Sequence, residues 1–120
     1  LSTAPTGKDP ENDMLYGLKE KPGCVFCEIG AKRTPATIYF ETEFAMAIKD
    51  IKSDDILLIP KKHIECTPKN LAMAASLLLQ LPVMMKLDKF EVVTHIGWHV
   101  TINHLHIRIR RKDNVKKFWE

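Results

Sequence analysis

Long apolar stretches are missing from this chain. Its longest uninterrupted runs, Phe44 to Ile48 and Leu71 to Ala75, are five residues each, against the roughly 20 that a membrane-spanning helix needs. Cysteine is scarce: three in 120 residues exclude a disulfide-stapled scaffold. No charged-then-apolar leader opens the chain, so secretion is not supported and a reducing compartment, cytosol or nucleus, is expected. Opening on Leu1 rather than Met, the chain is expected to come from a longer or processed product. Neither sign of charge dominates. Eighteen Lys and Arg against 15 Asp and Glu give a net +3, too small an excess to name a nucleic-acid partner. Internal repeats and low-complexity segments are also absent. What remains is 45% hydrophobic and 28% charged residues, the make-up of one globular domain that can bury about two-thirds of its unfolded surface.

Residues Leu1 to Pro22 scatter Pro5, Gly7, Pro10, Gly17 and Pro22 among polar residues. They have little to bury and predict a flexible arm (1–22), with room for a short helical segment near Met14 to Leu18. The domain proper is expected over 23–120. Val25 to Ala31 fits a turn or two of helix before Pro35. Thr37 to Phe40 and Phe44 to Lys49 flank the polar Glu41-Thr42-Glu43 and predict a hairpin. Ile56 to Ile59, closed by Pro60, fits a strand buried on both faces. Thr67 or Asn70 supplies an N-cap for a helix over Leu71 to Leu81, which Pro82 should kink or end. Glu91 to Ile96 and Thr101 to Arg110 predict two further strands. Hairpin, strand, helix, strand, strand is an α+β order: an antiparallel sheet of about five strands with a helix on one face.

The stretch Asn103-His104-Leu105-His106-Ile107-Arg108-Ile109-Arg110 is the most informative. Alternate residues of a strand share a face and lie about 6.6 Å apart. His104, His106, Arg108 and Arg110 would then face one way, and Leu105, Ile107 and Ile109 a core. Two imidazoles and two guanidiniums on one face make an anion site. An imidazole can attack phosphorus while neighbouring cations stabilise the phosphoryl oxygens. The plainer alternative is an amphipathic strand with a solvated basic face.

Four blocks occur in one order: Cys24-Val25-Phe26-Cys27-Glu28-Ile29, Ile48-Lys49-Asp50-Ile51, Leu57-Leu58-Ile59-Pro60-Lys61-Lys62-His63-Ile64, and His104-Leu105-His106. Together they resemble the histidine-triad (HIT) nucleotide-binding family across most of the chain, Cys24 to Arg110. Gly97-Trp98-His99 and Lys116-Lys117-Phe118-Trp119 resemble its Hint and aprataxin-like branch. The resemblance implies a HIT-like fold and a reaction. The middle histidine, His106, attacks the phosphorus of a purine nucleotide carrying an amine or other leaving group, and water then releases the nucleotide from a nucleotidyl-histidine. It makes the substrate AMP-like, a phosphoramidate or an adenylate. It also gives His104 a supporting role and sets Arg108 where the family has a third histidine. An arginine there can grip a phosphate oxygen but cannot give up a proton near neutral pH. Asp50 matches the acid that accepts from ribose hydroxyls, and Ile48 and Ile51 match the walls around the base. Thr101 matches a serine near the leaving group, and His99 is a candidate for facing the phosphate. Without the resemblance, Asp50 is a turn residue and Thr101 a β-former. The family also implies a homodimer, joined through the helix and a central strand.

Cys24-x-x-Cys27 has the spacing of two zinc ligands. The resemblance adds two histidines: the first of the triad, His104, and one before the third strand. This chain has no histidine at the latter place, so a structural zinc would lack its fourth ligand. The alternative is a pair of buried thiols packing a short helix. Cys66 has no partner in sequence, His63 suits a structural role as readily as a catalytic one, and no organic cofactor is called for. Arg108, Arg110, Arg111, Lys112, Lys116 and Lys117, beside Phe118 and Trp119, form a basic end that reads first as a solvated tail and second as a nucleic-acid contact. Two functions follow: a nucleotidyl hydrolase working through His106, or a non-catalytic nucleotide- and zinc-holding module with a degraded triad.

Overall fold

The computed structural model describes residues 23–97 and 100–111. The arm at 1–22, including Met14 to Leu18, and the basic tail from residue 112 lie outside them. The first element, α1 (Val25–Gly30), begins where Cys24 is extended and its thiol accepts from the Cys27 N–H at 3.4 Å. Sulfur thus does the N-cap work that oxygen usually does. Beyond Gly30 the chain turns at Lys32, whose φ is 63°. Gly30 lies against the backbone of Lys61, and a Cβ there would run into the Lys61 carbonyl. Backbone cannot yield as a flexible side chain does, so Gly30→Ala is expected to destabilise the protein by about 1–3 kcal/mol, read as a lower urea midpoint with unchanged slope.

Strands β1 (Ile38–Glu41) and β2 (Ala45–Lys49) form the expected hairpin. Thr42 closes it by exchanging bonds with Ala45. Strand β3 (Ile56–Pro60) is buried at every position, the mark of a strand covered on both faces. Its alternation divides the interior in two. Ile56 and Leu58 join Ala45, Ala47, Ile107 and Ile109 under the long helix. Leu57 and Ile59 join Met46, Ile48 and, from α1, Phe26 and Ile29 on the other side.

The long helix, α2 (Pro68–Met84), starts three residues earlier than predicted, with Thr67 as N-cap accepting from the Asn70 N–H at 3.1 Å and Pro68 in its first turn. It also runs through Pro82 rather than ending there. Proline withholds one N–H, but the next turn continues, with Met85 N–H on the Leu81 carbonyl. Only one bond of the last turn is lost, and the buried Leu78, Leu81 and Pro82 hold the turn against the sheet. Among the described residues no helix is long and apolar enough to cross a membrane.

Strands β4 (Phe90–Val93) and β5 (Ile107–Arg111) complete an all-antiparallel five-stranded sheet in the order β1-β2-β3-β5-β4. Both are shorter than predicted, and 101–106 is not strand. Ile56 faces Ile109 and Leu58 faces Ile107. Carried further, that register would set Leu105 against Pro60, which has no N–H to share. Leu105 N–H turns instead to the Ile64 carbonyl at 2.6 Å. The alternation of sides survives the loss of the ladder. Leu105 enters the core beneath α2, while the His104 and His106 rings both meet Phe26 on the α1 side.

Candidate metal centre and active site

His104 is fully buried. Its Nε2 lies 2.8 Å from the Pro60 carbonyl oxygen. A carbonyl only accepts, so Nε2 carries the hydrogen and Nδ1 presents a lone pair. That lone pair faces two sulfurs, Cys24 Sγ at 3.4 Å and Cys27 Sγ at 3.6 Å. His63 Nδ1 approaches Cys27 Sγ at 3.4 Å from the other side. The four ligand atoms lie within 4.8 Å of one another. Tetrahedral zinc, with bonds of about 2.3 Å to sulfur and about 2.05 Å to nitrogen, holds its S and N ligands about 3.5 Å apart. The donor set and its edges therefore fit a metal ion, and the Pro60 bond is the outer-shell support that a ligating histidine ordinarily has.

His63 is placed where a fourth metal ligand could come from. It follows β3 rather than preceding it, in the turn Pro60-Lys61-Lys62-His63, and that turn is what Gly30 lets α1 approach. The signal available in sequence was that turn's nearness to a strand end; nothing local aimed the ring at Cys27. Cys66 stands outside the cluster. It is buried, with its S–H on the Ile102 carbonyl at 3.5 Å, and burial pushes its thiol pKa up.

Burial pushes the His104 imidazole down to about 4, with His63 and His106 adding to the effect against the Pro60 bond. An unfolded histidine near 6.5 binds the proton that the folded one refuses, so stability rises with pH through this window and falls as pH drops through it. In the metal-free protein His104 should therefore cost about 3 kcal/mol of stability between pH 6.5 and pH 4. Urea denaturation across that range, compared with His104→Asn, isolates the contribution; equal pH slopes for the two proteins would refute it.

His106 is half-buried. Its Nδ1 donates to the His104 carbonyl at 2.8 Å, and Thr94 Oγ1 donates to the His106 carbonyl at 2.9 Å. With Nδ1 committed, the lone pair belongs to Nε2. The ring stands on the wall of a pocket of about 770 Å³ on the sheet face opposite α2. That pocket gathers the predicted residues Ile48, Asp50, Ile51, Thr101, His106 and Arg108. Phe26 and Ile29 of α1 and Leu57 of β3 give it an apolar floor. Ile51 stands at its rim, 87% exposed. His99 lies outside the described residues.

Arg108 does not form the open cationic face expected from the alternation. Its register partner is Leu57, which puts it on the pocket side. There its Nη1 donates to Asp50 Oδ2 at 2.8 Å and Asp55 Oδ2 at 2.9 Å. Arg110 Nε also reaches Asp55 Oδ2, at 3.4 Å, and Arg111 Nη2 donates to the Asp54 carbonyl. His104, on the same side, turns its Nδ1 to Cys24 and Cys27 rather than to the pocket. The anion site of four cations is thus replaced by His106 beside a guanidinium held by two carboxylates. Asp50 accepts from Ser53 Oγ as well, at 2.9 Å. Burial would raise its pKa, but Arg108 and Ser53 outweigh it and hold the carboxyl below its ordinary value. Asp55 and Ser53 were not singled out in the sequence. Only the register that sets β3 against β5 brings Asp55 to the arginines.

Protein HitA of Neisseria gonorrhoeae is 31% identical over 99 residues, covering 72% of this chain and 92% of the relative. The chain belongs to the histidine-triad family. A HIT family hydrolase from Clostridium thermocellum superposes with a TM-score of 0.61 at 28% identity, over 76% of this chain and 91% of that one. A histidine triad protein from Clostridium difficile shares the fold, with a TM-score of 0.65 at 23% identity over 78% and 93%. No family model matches the chain. Within the HIT family, the residues that pointed to the Hint and aprataxin-like branch, Trp98, His99 and 116–119, fall outside the described ones.

Proposed function

We propose that this HIT protein is a nucleotidyl hydrolase in which His106 is the nucleophile and the metal cluster holds a structural zinc. The observation that carries the reading is the His106 Nδ1–H bond to the His104 carbonyl, which fixes the tautomer with Nε2 free on the pocket wall. The hydrolase named among its structural neighbours supports the reaction class. The substrate is a purine nucleoside 5′-phosphate carrying a leaving group on phosphorus, a phosphoramidate or an adenylate. Ile48 and Ile51 enclose the base, and Asp50 accepts from the ribose hydroxyls with the lone pairs that Arg108 and Ser53 leave. Thr101 lies towards the leaving group.

Cys24, Cys27, His63 and His104 would hold the zinc, which supplies a cross-link between α1, the turn after β3 and the segment before β5. His104 contributes its ring to that cluster and its carbonyl to His106, so one residue joins structure and chemistry. A second copy of the chain would cover apolar surface at the end of α2, where Val83 and Met84 are exposed, making the protein a homodimer. AMP release from adenosine 5′-phosphate esters, with adenylate trapped on the peptide containing His106, tests the reaction. A protein that binds AMP but forms no adduct and releases none would be the non-catalytic module.

A further inference from the structure

The described residues lining the pocket include a single imidazole, that of His106. The next side chain along the same face is Arg108. A guanidinium does not give up its proton near neutral pH. Burial would pull its pKa down, but the bonds to Asp50 and Asp55 and their charges push it further up. Lys49, also on the pocket wall, donates its ammonium to the Asp50 and Ser53 carbonyls. The Arg108 fork is anchored on one side only. Nη1 makes both carboxylate bonds, and among the described residues no bond engages Nε or Nη2. A fixed cation with a free fork is built to receive an oxyanion.

We propose that Arg108 selects substrates whose leaving group departs through oxygen as a stable anion, as in adenylate anhydrides, rather than amines or alkoxides that must take up a proton. The inference rests on the nucleotidyl-hydrolase reading and names its substrate class. The Nε2 lone pair of His106 forms the new N–P bond. The P–O bond to the leaving group breaks, and its electron pair leaves on that oxygen, which accepts hydrogen bonds from the Nε–H and Nη2–H of Arg108. Water oxygen then attacks phosphorus, the P–N electron pair returns to Nε2, and the water proton passes to solvent. No proton is delivered to the leaving group at any step. Asp55 is a positioning residue, acting through Arg108.

The test is kcat/KM for a series of substituted phenyl esters of AMP, with adenosine 5′-phosphoramidate beside them. The wild-type protein should show a steep fall, up to about tenfold, for each unit of rise in leaving-group pKa, the mark of a departure without proton transfer, and hydrolyse the phosphoramidate about 10²-fold or more slowly than the nitrophenyl ester. Arg108→His should flatten the slope and gain phosphoramidate activity. Arg108→Lys, which keeps the charge, should keep the slope at a lower rate. Asp55→Asn should slow poor leaving groups more than good ones, whereas a loss of folded protein would slow all alike. A shallow wild-type slope, or phosphoramidate turnover equal to the nitrophenyl ester, would overturn the assignment while an adduct on His106 left the hydrolase reading standing. Absence of that adduct with every ester would overturn both.

Discussion

His106→Ala should lower AMP release by at least about 10⁴-fold, the scale on which enzymes lose activity when a nucleophile is deleted, and should leave no adenylate on the protein. The expectation follows from position. His106 is the one imidazole on the pocket wall among the described residues, and its Nδ1–H is held by the His104 carbonyl at 2.8 Å. The substitution removes that bond, worth about 1 kcal/mol, so the fold should persist. AMP should still bind, because the apolar floor and Asp50 are untouched. His106→Asn keeps a polar group at the site and should be equally inactive. Intact-mass and peptide spectrometry after quenching without acid, with a slow adenylated substrate, locates the adduct. Full turnover by the alanine variant would end the mechanism, and an adduct on His104 or His99 would move the nucleophile.

Removing the metal should be the largest single loss of stability. The purified protein is expected to hold about one zinc per chain. With free metal at a thousandfold excess over its dissociation constant, binding adds about 4 kcal/mol. A domain of this size loses several degrees of melting temperature for each kcal/mol, so chelation should lower Tm by more than about 10 °C. Cys27→Ser should do the same without chelator, since it removes a sulfur that faces both histidines. Cobalt loaded in place of zinc should show a thiolate charge-transfer band, lost in Cys27→Ser. A metal-free preparation whose melting ignores chelator would mean that the thiols only pack α1.

His104 is shared by the cysteine–histidine cluster and the candidate active site. The His104 ring belongs to the metal cluster and its carbonyl to His106. The four cluster residues come from three segments far apart in the chain, and Gly30 permits the approach of α1 to Lys61 that brings them together. A substitution at Gly30 should thus be felt at the metal before it is felt at the sheet.

The sequence by itself determined the order and kind of the elements and the side each residue takes, though not all their bounds. Ile56-Leu57-Leu58-Ile59 reads as a doubly covered strand because four apolar residues in a row leave no face for water, and the structure buries all four. The alternation of His104, Leu105, His106 and Ile107 assigns histidines to one side and aliphatics to the other, and that holds even where no strand forms. Cys24 and Cys27 pair because their spacing is one turn of helix. These are short-range facts, carried by periods of two and near four residues. The tertiary structure decided what needs two distant segments to meet in one geometry. Nothing local brings His63 to Cys27, 36 residues away, or Arg108 to Asp50 and Asp55, 58 and 53 residues away. Those meetings depend on the register of β3 against β5 and on the packing of α1. A one-residue slip would turn Arg108 to the other face, so the charge of the site was settled by pairing rather than by composition.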